Sequence, residues 1–366
     1  MKATELLYQS GQSLWLDNIT RELLTSGTLA HYIRELAVKG LTSNPTIFDH
    51  AIRQGSAYDA AIHERLAAGL SGERLFFELA LQDLTAAADL FRELNERTSG
   101  VDGWVSLEVS PLLAHDTQTT LAEAKELHAR AGRPNLYIKI PGTPEGLPAI
   151  EEAIFAGIPI NVTLLFSPAQ YLAAAEAYLR GVERRIEAGL NPNVGSVASL
   201  FISRWDVAVA ERAPRRLLEK LGLAVGRSAY HAYSGLLESS RWRRAFNAGA
   251  RPQRLLFAST GTKDPKASDI LYVKGLNAPL TINTVPESTL KAFVDHGELG
   301  PEWSTDRKES ERVLNDFRRA GIDLDELAKR LQEEGAASFV AAWNDLLGVI
   351  AAKSASLQTP PRRAAS

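Results

Sequence analysis

The sequence predicts an α/β protein with a (β/α)8 TIM barrel fold and additional helices, and three observations support this prediction. Eight short apolar or β-branched runs alternate with longer amphipathic stretches along the 366-residue chain, as in parallel βα units. Eight is the number of strands that closes such a barrel. The rival architecture is an open doubly wound sheet, which has no local support because the chain contains neither G-x-G-x-x-G nor G-x-x-x-x-G-K-[ST].

The strand-like runs mostly end in Ser, Thr, Asn, Gly or Pro, which favour the turns that follow strands. In chain order they cover residues 13–19, 40–45, 104–110, 136–142, 159–166, 195–203, 254–260 and 279–285. The spacing of apolar residues predicts amphipathic helices between them, at residues 84–97, 119–132 and 167–189. The pattern does not decide between helix and strand for residues 268–276.

Two connections are longer than a plain barrel needs. Residues 46–103 and residues 205–253 each contain more than one predicted helix, for which a packing or lid role is expected. Residues 287–352 are also predicted to be helical and to pack on the barrel. The sequence therefore predicts one barrel domain over residues 1–352 and a disordered tail over residues 353–366, where adjacent prolines and small polar residues occur.

The last helical segment carries two apolar patterns. Leu324, Leu327 and Leu331 form a stripe at helical spacing, and a later apolar helix is predicted over residues 338–352.

Composition excludes several classes of protein. The chain has 41 Lys and Arg against 44 Asp and Glu, a net charge of -3, so binding of polyanions through bulk charge is not expected. It contains no cysteine, which excludes a disulfide framework, an iron–sulfur cluster and a cysteine nucleophile. Its 7 histidines are scattered, so a histidine-rich metal site is not expected, while a magnesium ion bound by carboxylates stays open at this point. No export signal is evident and no apolar run reaches the ~20 residues of a membrane helix, so a cytoplasmic location is expected.

The barrel prediction also locates the functional site. In a parallel barrel, polar residues at the carboxyl ends of the strands face the active site. The residues selected by this rule are Asp17, Asn44, Glu108, Lys139, Asn161, Thr163, Ser199, Arg204, Ser259 and Lys263.

Lys139 is the most unusual of these residues, because it lies among apolar strand residues in LYIKIPG. Lysine is rarely buried without a partner, and burial lowers its pKa. A neutral amine in a pocket is what a Schiff-base nucleophile requires. The structural alternative is a lysine that extends from a strand edge into a salt bridge.

Asp17 and Glu108 are likewise lone carboxylates flanked by apolar strand residues. Two carboxylates beside Lys139 would supply a general acid and base next to a nucleophilic amine. The alternative is a structural network of ion pairs that holds this end of the barrel together. Arg204 and Lys263 follow the sixth and seventh runs, near which barrels commonly bind phosphate.

Six ordered segments of the chain resemble the transaldolase family. They are LWLDNITRELL, KGLTSNPTIF, VSLEVSP, LYIKIPGTPEGLPAI, PINVTLLFS and FASTGTKDP. The resemblance extends from about residue 8 to about residue 350, and ASTGTKDP with Lys263 is similar to the longer-chain bacterial members.

This resemblance implies a role for each matching residue. Lys139 matches the Schiff-base lysine, and Asp17 matches the acid/base for the C4 hydroxyl. Glu108 with Thr163 matches the pair that holds a catalytic water. The remaining matches are expected to bind substrate: Asn44 and Asn161 at the dihydroxyacetone hydroxyls, Ser199, Arg204 and Lys263 toward the phosphate, and Phe201 near the end of the sixth strand.

The resemblance further implies a metal-independent and cofactor-free transferase of the pentose phosphate pathway. Such an enzyme moves a dihydroxyacetone unit from fructose 6-phosphate or sedoheptulose 7-phosphate to erythrose 4-phosphate or glyceraldehyde 3-phosphate. Small sugar phosphates are the expected partners, without nucleic acid or membrane, and a monomer or homodimer is expected.

Two other functions stay open at this point. A fructose 6-phosphate aldolase, which is a lyase, shares the lysine but resembles this chain less: its chains are much shorter, an amide stands at the position of Glu108 and a Tyr at that of Phe201. A barrel that binds sugar phosphates without catalysis is the third possibility, although it would have no need for Asp17, Glu108 and Lys139 together.

Overall fold

The computed structural model describes residues 2–300 and 307–358, and these fold as a closed barrel of eight parallel strands. Neighbouring strands in the barrel are also neighbours in the chain, and the last strand pairs with the first. This confirms the predicted fold and excludes the open sheet. The strands are β1 Ser13–Asp17, β2 Val38–Thr42, β3 Trp104–Glu108, β4 Leu136–Pro141, β5 Ile160–Leu165, β6 Ser196–Phe201, β7 Arg254–Ala258 and β8 Ile282–Val285.

All eight predicted strands are present, and all are shorter than predicted. At most carboxyl ends the strand stops before the last residues of the predicted run, because residues such as Asn, Ser, Thr and Pro leave the hydrogen-bonded ladder there. The second strand also begins earlier than predicted, at Val38.

Helices connect the strands and cover the outside of the barrel. They are α1 Ala3–Gln9, α2 Arg21–Thr25, α3 Thr28–Glu35, α4 Pro45–Arg53, α5 Asp59–Ala67, α6 Gly72–Arg97, α7 Thr117–Ala131, α8 Gly146–Phe155, α9 Pro168–Glu187, α10 Ser203–Val209, α11 Leu221–Glu238, α12 Ser240–Asn247, α13 Leu271–Gly275, α14 Glu287–His296, α15 Lys308–Arg319 and α16 Leu324–Gln358. The undecided segment 268–276 therefore contains a short helix, and the predicted helix at 84–97 is the second half of the longer α6.

Helix α16 differs from the prediction in two respects. The stripe at Leu324 and the apolar segment 338–352 belong to one continuous helix rather than two, and Gly335 between them does not interrupt it. The helix also continues through residues 353–358, which the sequence predicts to be disordered, while residues 359–366 lie outside the described residues.

The amino-terminal end of the barrel is filled by aromatic side chains. Trp15 is fully buried, and Tyr137 stacks on Trp104 with ring centroids 4.1 Å apart. A Cβ atom at Gly40 would come within 2.4 Å of the Trp15 ring, so only glycine fits there. This end is a packed core, which leaves the carboxyl ends of the strands for the site.

Helix α16 is held against the extension that contains α4, α5 and α6. The buried Trp343 packs edge-on against Phe76 at 4.9 Å between ring centroids, and Lys353 forms an ion pair with Asp59 at 2.6 Å. By length and composition α16 could also span a membrane. In the fold, however, Trp343 and Phe339 of this helix are buried inside the protein.

Candidate active site

A cavity of about 470 Å³ opens at the carboxyl ends of the strands. Its lining includes eight of the ten residues predicted to form the site, namely Asp17, Asn44, Lys139, Thr163, Ser199, Phe201, Arg204 and Lys263. Glu108 and Asn161 are buried next to this lining and are hydrogen-bonded to Lys139 and Ser199, respectively. Ser259, which the barrel rule also selects, lines the same cavity, so the residues selected by the rule and Phe201 from the family resemblance lie in one place.

Lys139 lies in the middle of a row that crosses three strands. It pairs in register with Glu108 on β3 and with Asn161 on β5. Its side chain is 6% exposed, and Nζ donates to Glu108 Oε2 at 2.9 Å and to the Ser43 carbonyl at 3.1 Å. The closed barrel has no strand edge from which Lys139 could reach solvent. Lys139 does form an ion pair with Glu108, as the structural alternative requires. That pair is buried at the cavity and does not lie at a strand edge.

Glu108 is set up to hold or release a proton beside Lys139. Burial raises the pKa of its carboxyl, while the positive charge of Lys139 acts in the opposite direction. Glu108 Oε1 and Thr163 Oγ1 are both buried and have no hydrogen-bond partner in the protein. Buried polar atoms of this kind require a partner, so a water molecule or a substrate atom fits between them chemically.

Asp17 receives a hydrogen bond through a short chain of hydroxyl groups. Thr42 Oγ1 donates to Asp17 Oδ1 at 2.7 Å, and Thr284 Oγ1 lies 2.7 Å from Thr42 Oγ1. Since a hydroxyl has one proton to donate, Thr284 must donate to Thr42. Burial raises the pKa of Asp17, and this effect outweighs the opposing effects of Thr42 and Lys139.

Hydrogen bonds orient the side chains of two asparagines and engage different atoms in each. Asn44 caps helix α4 by accepting from the Ile47 amide at 3.1 Å, so its amide NH2 group can donate into the cavity. Asn161 is fully buried, donates to Ser106 Oγ at 3.0 Å and accepts from Ser199 Oγ at 2.7 Å. The Ser199 hydroxyl is thus bonded to the Lys139 row, not to Arg204.

Two cations also line the cavity. Arg204 lies in the first turn of α10, shortly after β6, and its guanidinium carbon lies 5.5 Å from the centroid of the Phe201 ring. The side chain is half-buried, which lowers the pKa of its guanidinium, and no hydrogen bond or ion pair within the described residues engages it. Lys263 is exposed at the rim. An anionic group of a ligand would neutralise both.

Several residues of the site are absent from the selection made from the sequence. Thr42 and Thr284 lie at the carboxyl ends of β2 and β8, so the strand-end rule includes them, although they are not among the residues selected from LTSNP and TINTV. Gln332 and Phe339 lie on α16, far away in the chain, and no local pattern identifies them. Phe339 lines the cavity with its ring centroid 5.5 Å from Lys139 Nζ.

Gln332 fixes the ends of two strands. Its Nε2 donates to the Gly142 carbonyl at 3.0 Å and to the Leu164 carbonyl at 2.9 Å. Leu164 follows Thr163 directly and has a φ of 59°, a left-handed conformation that a bulky residue adopts only when its surroundings hold it. The clamp therefore supports the backbone that presents Thr163.

Within residues 2–300 and 307–358, no three His, Asp or Glu side chains come together as a metal site. The chemistry that the arrangement offers is that of an amine between two carboxylates, with two cations in the same cavity.

Comparisons with known proteins agree with this geometry. The family model described as Transaldolase/Fructose-6-phosphate aldolase matches residues 14–350. The chain is 44% identical over 354 residues to a transaldolase of Thermobifida fusca, covering 94% of this chain and 96% of that protein. It is 43% identical over 356 residues to transaldolase 1 of Streptomyces avermitilis, covering 95% and 94%. A transaldolase of Renibacterium salmoninarum is 43% identical over 353 residues, with 94% of each chain covered.

Proposed function

The chain belongs to the transaldolase/fructose-6-phosphate aldolase family, and on that premise we propose how its residues carry out the transaldolase reaction. It is a transferase of the pentose phosphate pathway that acts on sugar phosphates. The observation that carries the residue assignment is the Lys139 amine 2.9 Å from Glu108, in the same cavity as Asp17.

In the first step, the Lys139 amine attacks the C2 carbonyl of the ketose phosphate. Loss of water from the resulting carbinolamine gives a protonated imine, which acts as an electron sink. Glu108 supplies and removes the protons of this step through a water molecule that it holds with Thr163. Two features support this role: the raised pKa of Glu108 and the unpartnered Oε1 and Oγ1 atoms of the two residues.

In the second step, Asp17 takes the proton of the C4 hydroxyl. The C3–C4 bond then breaks, the first aldose phosphate leaves, and an enamine remains attached to Lys139. The reverse sequence with the second aldose phosphate forms the new C3–C4 bond and returns the proton from Asp17. The hydrogen bond from Thr42 favours the ionised Asp17 that cleavage requires.

The other predicted residues bind the substrate. The free amide NH2 group of Asn44 donates to a hydroxyl of the dihydroxyacetone unit, and Asn161, oriented by Ser199, contacts the same unit. Arg204 binds the phosphate because it is half-buried and available, and the exposed Lys263 contributes charge at the rim. Phe201 forms the wall between these two ends of the substrate.

Borohydride trapping tests the assignment of Lys139. Sodium borohydride added with fructose 6-phosphate should inactivate the enzyme and leave a three-carbon adduct on Lys139, and Lys139→Met should abolish transfer while the protein stays folded. Lys39→Met is the matched control, because Lys39 is also partly buried, which lowers its pKa, but lies at the opposite end of the barrel against Tyr8. An adduct absent from inactivated protein, or full activity in Lys139→Met, would refute the mechanism.

Two comparisons separate this function from the alternatives. Glyceraldehyde 3-phosphate should appear from fructose 6-phosphate only when erythrose 4-phosphate is present, whereas steady release without an acceptor would indicate a lyase. A binding protein without activity would give neither product nor adduct. We also propose a cytoplasmic enzyme, monomeric or homodimeric, that binds neither nucleic acid nor membrane. Sedimentation analysis distinguishes the two oligomeric states.

A further inference from the structure

Helix α16 places an aromatic ring over the nucleophile. Phe339 is 7% exposed, and its ring centroid lies 5.5 Å from Lys139 Nζ and 6.3 Å from the ring of Phe201. The Phe201 ring in turn lies 5.4 Å from the ring of Phe166. A continuous aromatic wall therefore extends from the strand ends to α16 on one side of the cavity.

The opposite side of the cavity is polar. Asp17, Thr42 and Thr284 line it with carboxylate and hydroxyl groups, and Asn44 adds an amide. Polar groups of this kind hold water as readily as they hold sugar hydroxyls. The Phe339 ring beside Lys139 offers water no such partner.

The covalent intermediate has two possible fates, and water decides between them. In transfer, C3 of the enamine attacks the aldehyde carbon of the acceptor, and the aldehyde oxygen takes the proton from Asp17. The water held by Glu108 and Thr163 then hydrolyses the new imine, which releases the ketose phosphate and the Lys139 amine. In hydrolysis, C3 takes a proton and water adds to C2 of the resulting iminium ion. The C2–N bond then breaks, and dihydroxyacetone leaves as the Lys139 amine is regenerated.

We propose that Phe339 is a specificity-determining residue that keeps bulk water away from the three-carbon enamine on Lys139 while it waits for the acceptor, so that transfer prevails over hydrolysis. This inference rests on the proposed function, because it concerns the intermediate that Lys139 forms. The Phe339 ring closes the apolar side of the cavity, and an acceptor aldehyde bound through Arg204 still reaches C3 from the other end.

The extension at residues 46–103 holds this ring in place. Trp343, one helical turn after Phe339, packs between Phe76 and Phe77 of α6, and α16 contacts α4 and α5 as well. One turn before Phe339, a Cβ at Gly335 would lie 3.2 Å from an Arg204 nitrogen, so the helix backbone passes directly over the cavity. The extension therefore holds α16 in place, and α16 forms one wall of the site.

The test measures the partition of the intermediate rather than the rate alone. Wild type, Phe339→Leu and Phe339→Ala are incubated with fructose 6-phosphate and erythrose 4-phosphate, and dihydroxyacetone and sedoheptulose 7-phosphate are both quantified. The ratio of dihydroxyacetone to transfer product should rise in Phe339→Ala by about tenfold, with a smaller rise in Phe339→Leu, which keeps part of the apolar bulk. A general loss of activity would leave this ratio unchanged.

Leu346→Ala is the packing control, because Leu346 is fully buried on the same helix and does not line the cavity. It should lower stability without changing the ratio. If Phe339→Ala does not fold, Phe339→Leu carries the test. An unchanged ratio in both variants, or an equal rise in Leu346→Ala, would overturn the role of Phe339. The proposed function fails separately, if wild type yields no borohydride adduct at Lys139.

Discussion

Thr42 is expected to set the pH at which Asp17 loses its proton. Its hydroxyl donates to Asp17 Oδ1 at 2.7 Å, and Thr42→Val removes this donor with little change in shape. A hydrogen bond to a charged group contributes about 1.5–3 kcal/mol. One pKa unit corresponds to about 1.4 kcal/mol, so the pKa of Asp17 should rise further by about one to two pH units.

The sign of the effect on activity follows from the role of Asp17 as a base. Activity is lost as pH falls through the pKa of a group that must be ionised, and a higher pKa moves that loss to higher pH. The acid limb of kcat/KM for fructose 6-phosphate should therefore lie at higher pH in Thr42→Val than in wild type. The assay follows glyceraldehyde 3-phosphate release with erythrose 4-phosphate across the acid limb.

Two further variants test whether the loss of the Thr42 hydroxyl causes the shift of the acid limb. Thr42→Ser keeps the hydroxyl and should restore the wild-type acid limb. Thr284→Val removes the hydroxyl that donates to Thr42, so it should move the limb in the same direction by a smaller amount. The reasoning is refuted if Thr42→Val leaves the acid limb where it is in wild type, because Asp17 would then not be the group that titrates.

Three other variants probe the remaining parts of the site. Asp17→Asn should abolish transfer yet raise the free energy of unfolding at pH 7. Burial raises the pKa of Asp17, so its ionised form destabilises the folded protein, and the variant removes that charge. Urea unfolding should show that this gain in stability vanishes below pH 3.8, where Asp17 of wild type is protonated in the unfolded chain as well. Gln332→Leu removes two hydrogen bonds and should lower the free energy of unfolding by about 2 kcal/mol, with a larger change in kcat than in KM because the clamp positions Thr163. Arg204→Gln should lower kcat/KM for phosphorylated donors about ten- to a hundredfold, while the slow reaction of unphosphorylated fructose should stay unchanged in the same assay.

The strands and the residues on them could be predicted from the sequence because both depend on local pattern. Lys139 stands out since a cation among apolar strand residues must be buried, and the barrel rule then places it at the carboxyl end of β4. The same rule predicts that Asp17 and Glu108 converge on it. Closure of the barrel then brings these side chains together, because parallel strands in register place them at one level.

The contributions of α16 could not be predicted in this way. Phe339 reaches the cavity, and Gln332 the strand ends beside it, on a helix whose Trp343 packs on Phe76 of α6, almost 270 residues away in the chain. A pattern of apolar residues does not say where a helix docks. The break expected between the two apolar segments is also absent, since a single glycine lowers helix stability by only about 1 kcal/mol. Packing on both sides of Gly335 outweighs that loss.

The two halves of the cavity correspond to two opposing demands of group transfer. Proton transfer needs ionisable groups with hydrogen-bond partners, and β1, β2 and β8 provide them as Asp17, Thr42 and Thr284. Survival of the enamine needs a surface that does not bind water, and β6 and α16 provide it as Phe201 and Phe339. Polar groups are not absent near the imine, because Glu108 lies 2.9 Å from the Lys139 amine and is proposed to hold one water molecule with Thr163. The aromatic rings therefore limit the entry of further water, which lets one lysine release its first aldehyde and still wait for the second.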